Sequence, residues 1–173
     1  MYLPGRPATD EYAEFFAGYI ERVPEGDLLA MLRTQMEQMV ELLAPLSREQ
    51  QLARPTPEDW NVLEVLGHII DGEIAFSYRA WRIAHGDTTP LAGFEQDDYV
   101  RTAESSKRTL EDLLEAYTAQ RQATIMLYRS FDQQAWMRRG VVAGHPCSAR
   151  SWGYVTAGHE LHHLADFHER YGL

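Results

Sequence analysis

Apolar residues recur at helical spacing along most of this chain, and almost nowhere at the alternating spacing of a strand. Side chains three and four residues apart share a helix face, whereas every second residue shares a strand face. The period therefore constrains the fold class before any single residue does.

Five segments follow the helical period. The first, residues 10–23, places Tyr12, Phe15, Phe16 and Tyr19 on one face and ends at Pro24-Glu25-Gly26-Asp27. The second, residues 27–46, carries Leu28, Leu32, Gln35, Met39, Leu42 and Leu43. The third opens at Asn61, which can cap the free amides while Glu64 completes a capping box. Val62, Val65, Leu66, Ile69, Ile70 and Ile74 make it apolar over a wide arc, so it should be largely buried as far as His85, where Gly86-Asp87 stops it. A loop rich in Pro, Gly and Asp is expected over residues 86–102. The fourth helix is expected over residues 105–130, with Leu110, Leu113, Leu114, Tyr117, Ile125 and Leu127 inward. An irregular stretch, residues 132–147, precedes a last helix that Ser148 can cap and that should run to about residue 171. Val141-Val142 is the only strand candidate and is too short to build a sheet. The spacing predicts an all-α, antiparallel four-helix bundle with an extra short N-terminal helix, forming one domain over residues 1–173.

Composition excludes several functions. The 16 basic and 26 acidic residues leave a net charge of -10, which would repel a phosphate backbone, so no nucleic-acid partner is expected. No apolar run approaches the roughly 18 residues of a membrane span, and residues 1–7 lack a signal-peptide layout. A cytoplasmic location is the expectation. Cys147 is the sole cysteine, so neither an intramolecular disulfide nor a four-cysteine zinc site can form.

The chemistry concentrates near residues 159–173. On a helix, His159 and His163 lie one turn apart, with imidazoles within roughly 40° of each other. Neutral imidazole is the commonest ligand for a divalent transition metal, so the pair is half of a metal site. His68, set among apolar residues of the third helix, can supply a third ligand. Three imidazoles would leave a position open for water or substrate, and they suit zinc, nickel, iron and copper alike. Asp71 follows His68 by three residues and could be a ligand, an acceptor that orients a histidine, or a general base. Asp166 stands in the same relation to His163. His162 points about 100° away from His163 and reads as flanking. His85 and His145 fall in or near loops. His159-Glu160-Leu161-His162-His163 also matches the H-E-x-x-H pattern of zinc proteases. Too few residues follow for a downstream helix carrying a third ligand, so Glu160 reads as a bystander or a supporting group.

Several motifs together resemble the DinB-like superfamily of damage-inducible metalloenzymes, which includes bacillithiol and mycothiol S-transferases. They are Asp59-Trp60-Asn61 leading into Val65-Leu66-Gly67-His68-Ile69-Ile70-Asp71, then Tyr78-Arg79-Ala80-Trp81-Arg82-Ile83, Pro90-Leu91-Ala92-Gly93-Phe94, and Gly158-His159-Glu160-Leu161-His162-His163. The resemblance implies a four-helix bundle holding a divalent metal ion (zinc, nickel or iron) on His68, His159 and His163. It implies a homodimer and a small-molecule substrate. A thiol-dependent S-transferase would use a low-molecular-weight thiol as cosubstrate, with Asp71 or Glu73 as proton acceptor. Arg79, Arg138 and Arg139 are candidates to receive the charge of such a thiol. A non-enzymatic, metal-stabilised stress-response bundle is the alternative, and an H-E-x-x-H metallohydrolase is a third reading.

Overall fold

The computed structural model describes residues 3–173. Its helices are α1 (Ala17–Arg22), α2 (Leu28–Leu43), α3 (Arg48–Leu52), α4 (Val62–Ala84), α5 (Gln96–Ala103), α6 (Leu110–Arg129), α7 (Gln133–Met137) and α8 (Ala149–Glu169). Between α7 and α8 runs a hairpin of β1 (Arg139–Val142) and β2 (His145–Ser148). The long helices α2, α4, α6 and α8 make the expected four-helix bundle.

Local chemistry sets the helix starts. Asp27 accepts the amides of Leu29 and Ala30 at 2.9 and 3.1 Å and so opens α2. At α4 the predicted capping box is present: the Glu64 amide donates to Asn61 at 3.0 Å, and the Asn61 amide donates to the Glu64 carboxylate at 2.9 Å. Ser148 caps α8 by accepting the Ser151 amide at 3.1 Å.

Around the bundle, α4 packs on α6 and α8, and α2 packs on the same two helices. Cross-contacts fix the directions. His68 faces His159 while Phe76 stacks on Trp152, so α4 and α8 run antiparallel. Glu73 meets Arg121 and His85 meets Phe131, so α4 and α6 run the same way. Leu28 abuts Gly153 and Gln35 bonds to Ala157, so α2 and α8 also share a direction. Each helix has an antiparallel neighbour, and the long connection between α4 and α6 returns the chain along the bundle.

The core has two apolar halves. One gathers Leu28, Leu32, Phe76, Ile83, Tyr128 and Trp152, and the other Met39, Leu43, Leu66, Ile69, Leu113 and Phe167. Between them lie the buried polar side chains of Glu73, Arg121 and Glu160.

Four sequence expectations need correction. The first helix is two 3-10 turns, Thr9–Glu11 and Glu14–Phe16, followed by the short α1. A segment this short gains little from helix nucleation, and its path follows Phe16, which packs edge-on against Trp152 at 5.2 Å. The 86–102 loop contains most of α5. The helix expected from residue 105 begins at Leu110, where Thr109 accepts the Asp112 amide at 3.2 Å. The stretch 132–147 contains α7 and β1, and its end enters β2. The turn Ala143-Gly144, with φ of 50° and 81°, closes the hairpin with the left-handed backbone conformation at both residues, which suits the right-handed twist of the paired strands. Leu91 joins the hairpin, donating its amide to Val141 at 2.9 Å and accepting from Ala143 at 2.8 Å. This anchors the loop bearing Phe94.

A candidate metal centre between two helices

His68 comes from the middle of α4, and His159 and His163 from one face of α8; all three are buried. The Nε2 of His159 lies 3.0 Å from that of His68 and 3.2 Å from that of His163. Gly72 eases the close approach: a Cβ there would sit 3.2 Å from Cε1 of His159, tighter than an ordinary contact. Aromatic rings fix the imidazoles. Trp60 lies 4.9 Å from His68, and Tyr19 and Phe76 each meet His159 edge-on at 5.4 Å.

The donor set fits a divalent ion. Two nitrogens each about 2.1 Å from a metal stand about 3.0 Å apart at a right angle and about 3.4 Å apart at the tetrahedral angle. The observed spacings fall inside that interval. The ligand must also be neutral imidazole. Burial pulls the pKa of His68 down to about 4, against an opposing effect of Asp97 and with a smaller push from His162. Burial likewise holds His159 and His163 well below the ordinary value, helped by the neighbouring histidines.

A cavity of about 430 Å³ opens beside the cluster and is lined by His68 and His159 together with Phe76, Arg79, Phe94 and Trp152. The histidines therefore stand at a site a small molecule can enter.

The other sequence candidates go elsewhere. Asp71 is half-buried on α4, where burial raises its carboxyl pKa against the pull of Arg108; it is outside the histidine cluster and does not line the cavity. Glu73 accepts from Arg121 through both oxygens, at 2.8–3.0 Å, and is fully engaged there. Glu160 accepts from the Tyr117 hydroxyl at 2.6 Å and from Arg121. It faces the bundle centre, so the H-E-x-x-H carboxylate is committed to a buried ion pair. Asp166 reaches His162 at 3.5 Å. His85 and His145 are exposed, although His145 lines the cavity. Arg138 bonds to the Ala84 carbonyl and Arg139 to Asp10, away from the site. Arg79 alone of the three arginines lines the cavity.

Sequence reasoning missed Arg121. Its signal was available: Leu113, Tyr117, Arg121, Ile125 and Tyr128 form one continuous buried stripe on α6, with the arginine inside it.

A helical bundle with three converging imidazoles at a cavity defines a protein equipped to hold a metal ion. The chain belongs to the DinB superfamily, whose family model matches residues 31–167. Among solved structures it is similar to YfiT from Bacillus subtilis, described as a probable metal-dependent hydrolase with an unusual four-helix bundle topology. The TM-score is 0.71 at 16% identity, over 97% of this chain and 94% of that one. It is also similar to the mycothiol-dependent maleylpyruvate isomerase, with a TM-score of 0.68 at 14% identity, over 85% of this chain and 62% of the isomerase chain. At these identities the likeness shows the fold. No curated protein matches the sequence. Among the described residues, no helix is long and apolar enough to cross a membrane.

Proposed function

We propose that His68, His159 and His163 hold a divalent transition metal ion (zinc, nickel or iron) and that the chain is a thiol-dependent S-transferase acting on a small molecule in the adjoining cavity. The observation that carries this reading is the Nε2 triangle, with spacings of 3.0 and 3.2 Å, at the wall of an enterable cavity. When bound, such an ion supplies Lewis acidity, which lowers the pKa of a thiol or a water at its open position. The chain's own part is to keep three imidazoles neutral by burial, to orient them with Trp60, Tyr19 and Phe76, and to exclude bulk water with the aromatic walls. Glu73 and Glu160, held by Arg121, are not available as proton acceptors. A proton released by a thiol therefore leaves through the cavity mouth, where Glu95 and Asp97 stand exposed.

Metal analysis of the purified protein tests the centre. His68→Ala, His159→Ala and His163→Ala should each lose most of the metal, and His85→Ala should retain it. Full retention in His68→Ala would rule out the third ligand. The thiol step is tested by cobalt substitution. Addition of a low-molecular-weight thiol should produce an intense thiolate charge-transfer band that is absent in His163→Ala, and the same thiol should be conjugated to a model electrophile. A broad thiol panel giving neither band nor turnover removes the transferase reading. Hydrolysis would then lead, favoured by the near-complete overlap with YfiT. The proposal includes a homodimer acting without nucleic acid or membrane in the cytoplasm; light scattering at micromolar concentration that returns the single-chain mass of 19.9 kDa overturns the dimer.

A further inference from the structure

Arg79 is a buried cation without a carboxylate partner. It is 7% exposed, and among the described residues it makes no ion pair. Its guanidinium carbon lies 4.8 Å from the centre of the Trp152 ring and 5.3 Å from that of Phe94. One Nη2–H donates to the Ala92 carbonyl at 3.1 Å. A guanidinium has five N–H donors, so this contact leaves most of them without a partner on the protein. Arg79 lines the same cavity as His68 and His159. Burial pulls its pKa down, which marks a cation that an incoming anion would relieve.

The helix arranges the cavity lengthwise. His68, Gly72, Phe76 and Arg79 all line it from α4. Their spacing keeps them within an arc of roughly 80°. The histidine end and the arginine end are separated by about 16 Å of helix rise, reduced by the reach of an arginine side chain that leans toward the helix N-terminus. The walls between them are aromatic.

From this arrangement, and resting on the metal-centre reading above for the identity of the reacting end, we infer that Arg79 is the receptor for a carboxylate on the substrate. The ligand class is a small, elongated carboxylic acid with an apolar or aromatic body. Its reacting group lies at the histidines, and its carboxylate meets the free edge of the guanidinium, whose paired donors match the two oxygens. Trp152 and Phe94 hold the guanidinium plane so that little side-chain freedom is lost on binding. Arg79 sets specificity; it takes no part in bond making.

Phenylacetate and phenylacetamide, nearly identical in shape but different in charge, are suitable probes. Their affinities would be measured by ligand-observed NMR on the full chain as purified, before and after chelation, with metal content determined on the same samples. The acid should bind about ten- to a hundredfold more tightly than the amide, in the chelated sample as well. Arg79→Gln should erase that preference while leaving metal content unchanged, and Arg79→Lys should retain part of it. If Arg79→Gln does not fold, Arg79→Lys and the shift of the Arg79 Nε–H resonance on adding the acid to the native protein decide the matter. No preference for the acid in the native protein, no binding of either probe, or a preference that survives Arg79→Gln overturns the receptor. A preference seen only in the metal-loaded sample also overturns it, since the ion would then be the anion's partner. Arg79-dependent selection in a protein that binds no metal would leave the receptor standing and remove the metal centre.

Discussion

At the scale of single residues, Arg121 sets the terms for its neighbours. It bridges Glu73 of α4 and Glu160 of α8, donates to the Leu32 carbonyl of α2 at 3.1 Å, and is almost fully buried. Removing the cation would strand two carboxylates in the core, and breaking a buried pair this way costs about 3–5 kcal/mol. Arg121→Met should therefore lower the urea midpoint severely. Glu73→Gln should cost less and leave metal content unchanged, because Glu73 points at Arg121 and not at the histidines. A Glu73→Gln protein of native stability that fails to bind metal would contradict this assignment. The convergence of the three histidines was legible in the sequence because two of them lie one turn apart and the third sits alone among apolar neighbours. The arginine network was not, because its members lie on three different helices and no local spacing links Glu73, Arg121 and Glu160. The same gap made Glu73 look available for proton transfer.

At the scale of elements, the N-terminal segment is the part whose attachment can be tested separately. It crosses α8 where Gly158 leaves room: a Cβ there would lie 2.0 Å from the carbonyl oxygen of Tyr19, a backbone atom that cannot swing aside. Gly158→Ala must push α1 away from α8, and overpacking of this kind costs about 1–3 kcal/mol. Tyr19 packs on His159, so metal affinity should fall as well; unchanged metal binding in a destabilised Gly158→Ala protein would separate α1 from the centre. The second tie is Glu11. Burial would raise its pKa, but Arg150, Ser148 and the Ala8 amide outweigh that and hold it at about 2, below the ordinary 4.5. A depressed folded-state pKa means that the unfolded chain binds the proton more readily. The stability Glu11 contributes is thus present above pH 4.5 and lost as pH falls toward 2. Glu11→Gln should lower the urea midpoint at pH 6, and the gap from the native protein should close between those two values. A gap independent of pH would show that the charge is not what holds the segment. The long helices could be read from periodicity and caps, but the hairpin and the path of the N-terminal segment could not. Four-residue strands are too short to establish a period. The segment's path follows Phe16, at the end of the second 3-10 turn, which packs on the distant Trp152 ring, and that leaves no local signature.

At the scale of the whole molecule, the expected antiparallel packing holds for α4 with α8 and for α2 with α6, whereas the parallel pairs, α4 with α6 and α2 with α8, were hidden for a related reason. Helical periodicity shows which face is buried, yet it is the same read in either direction. The parallel course of α4 and α6 depends on where the connection between them delivers the chain. That course brings the two halves of the core together around a central polar layer, and it sets α4 antiparallel to α8 so that His68 can meet His159 and His163. In the proposed centre an ion held by His68, His159 and His163 would clamp α4, the second long helix of the bundle, to α8, the last, so its stabilisation should be global. An ion that binds the folded chain at about a thousand times its Kd adds about 4 kcal/mol by mass action, which for a protein of this size raises Tm by about 8–16 °C. Differential scanning calorimetry at pH 7.5, with and without chelator, should show a shift of that order in the native protein and almost none in His159→Ala. Both α4 and α8 should gain amide protection together when the ion is bound, because one site fastens them to each other. Equal melting temperatures for samples verified as loaded and metal-free would mean that the three imidazoles do not act as a clamp, whatever their spacing.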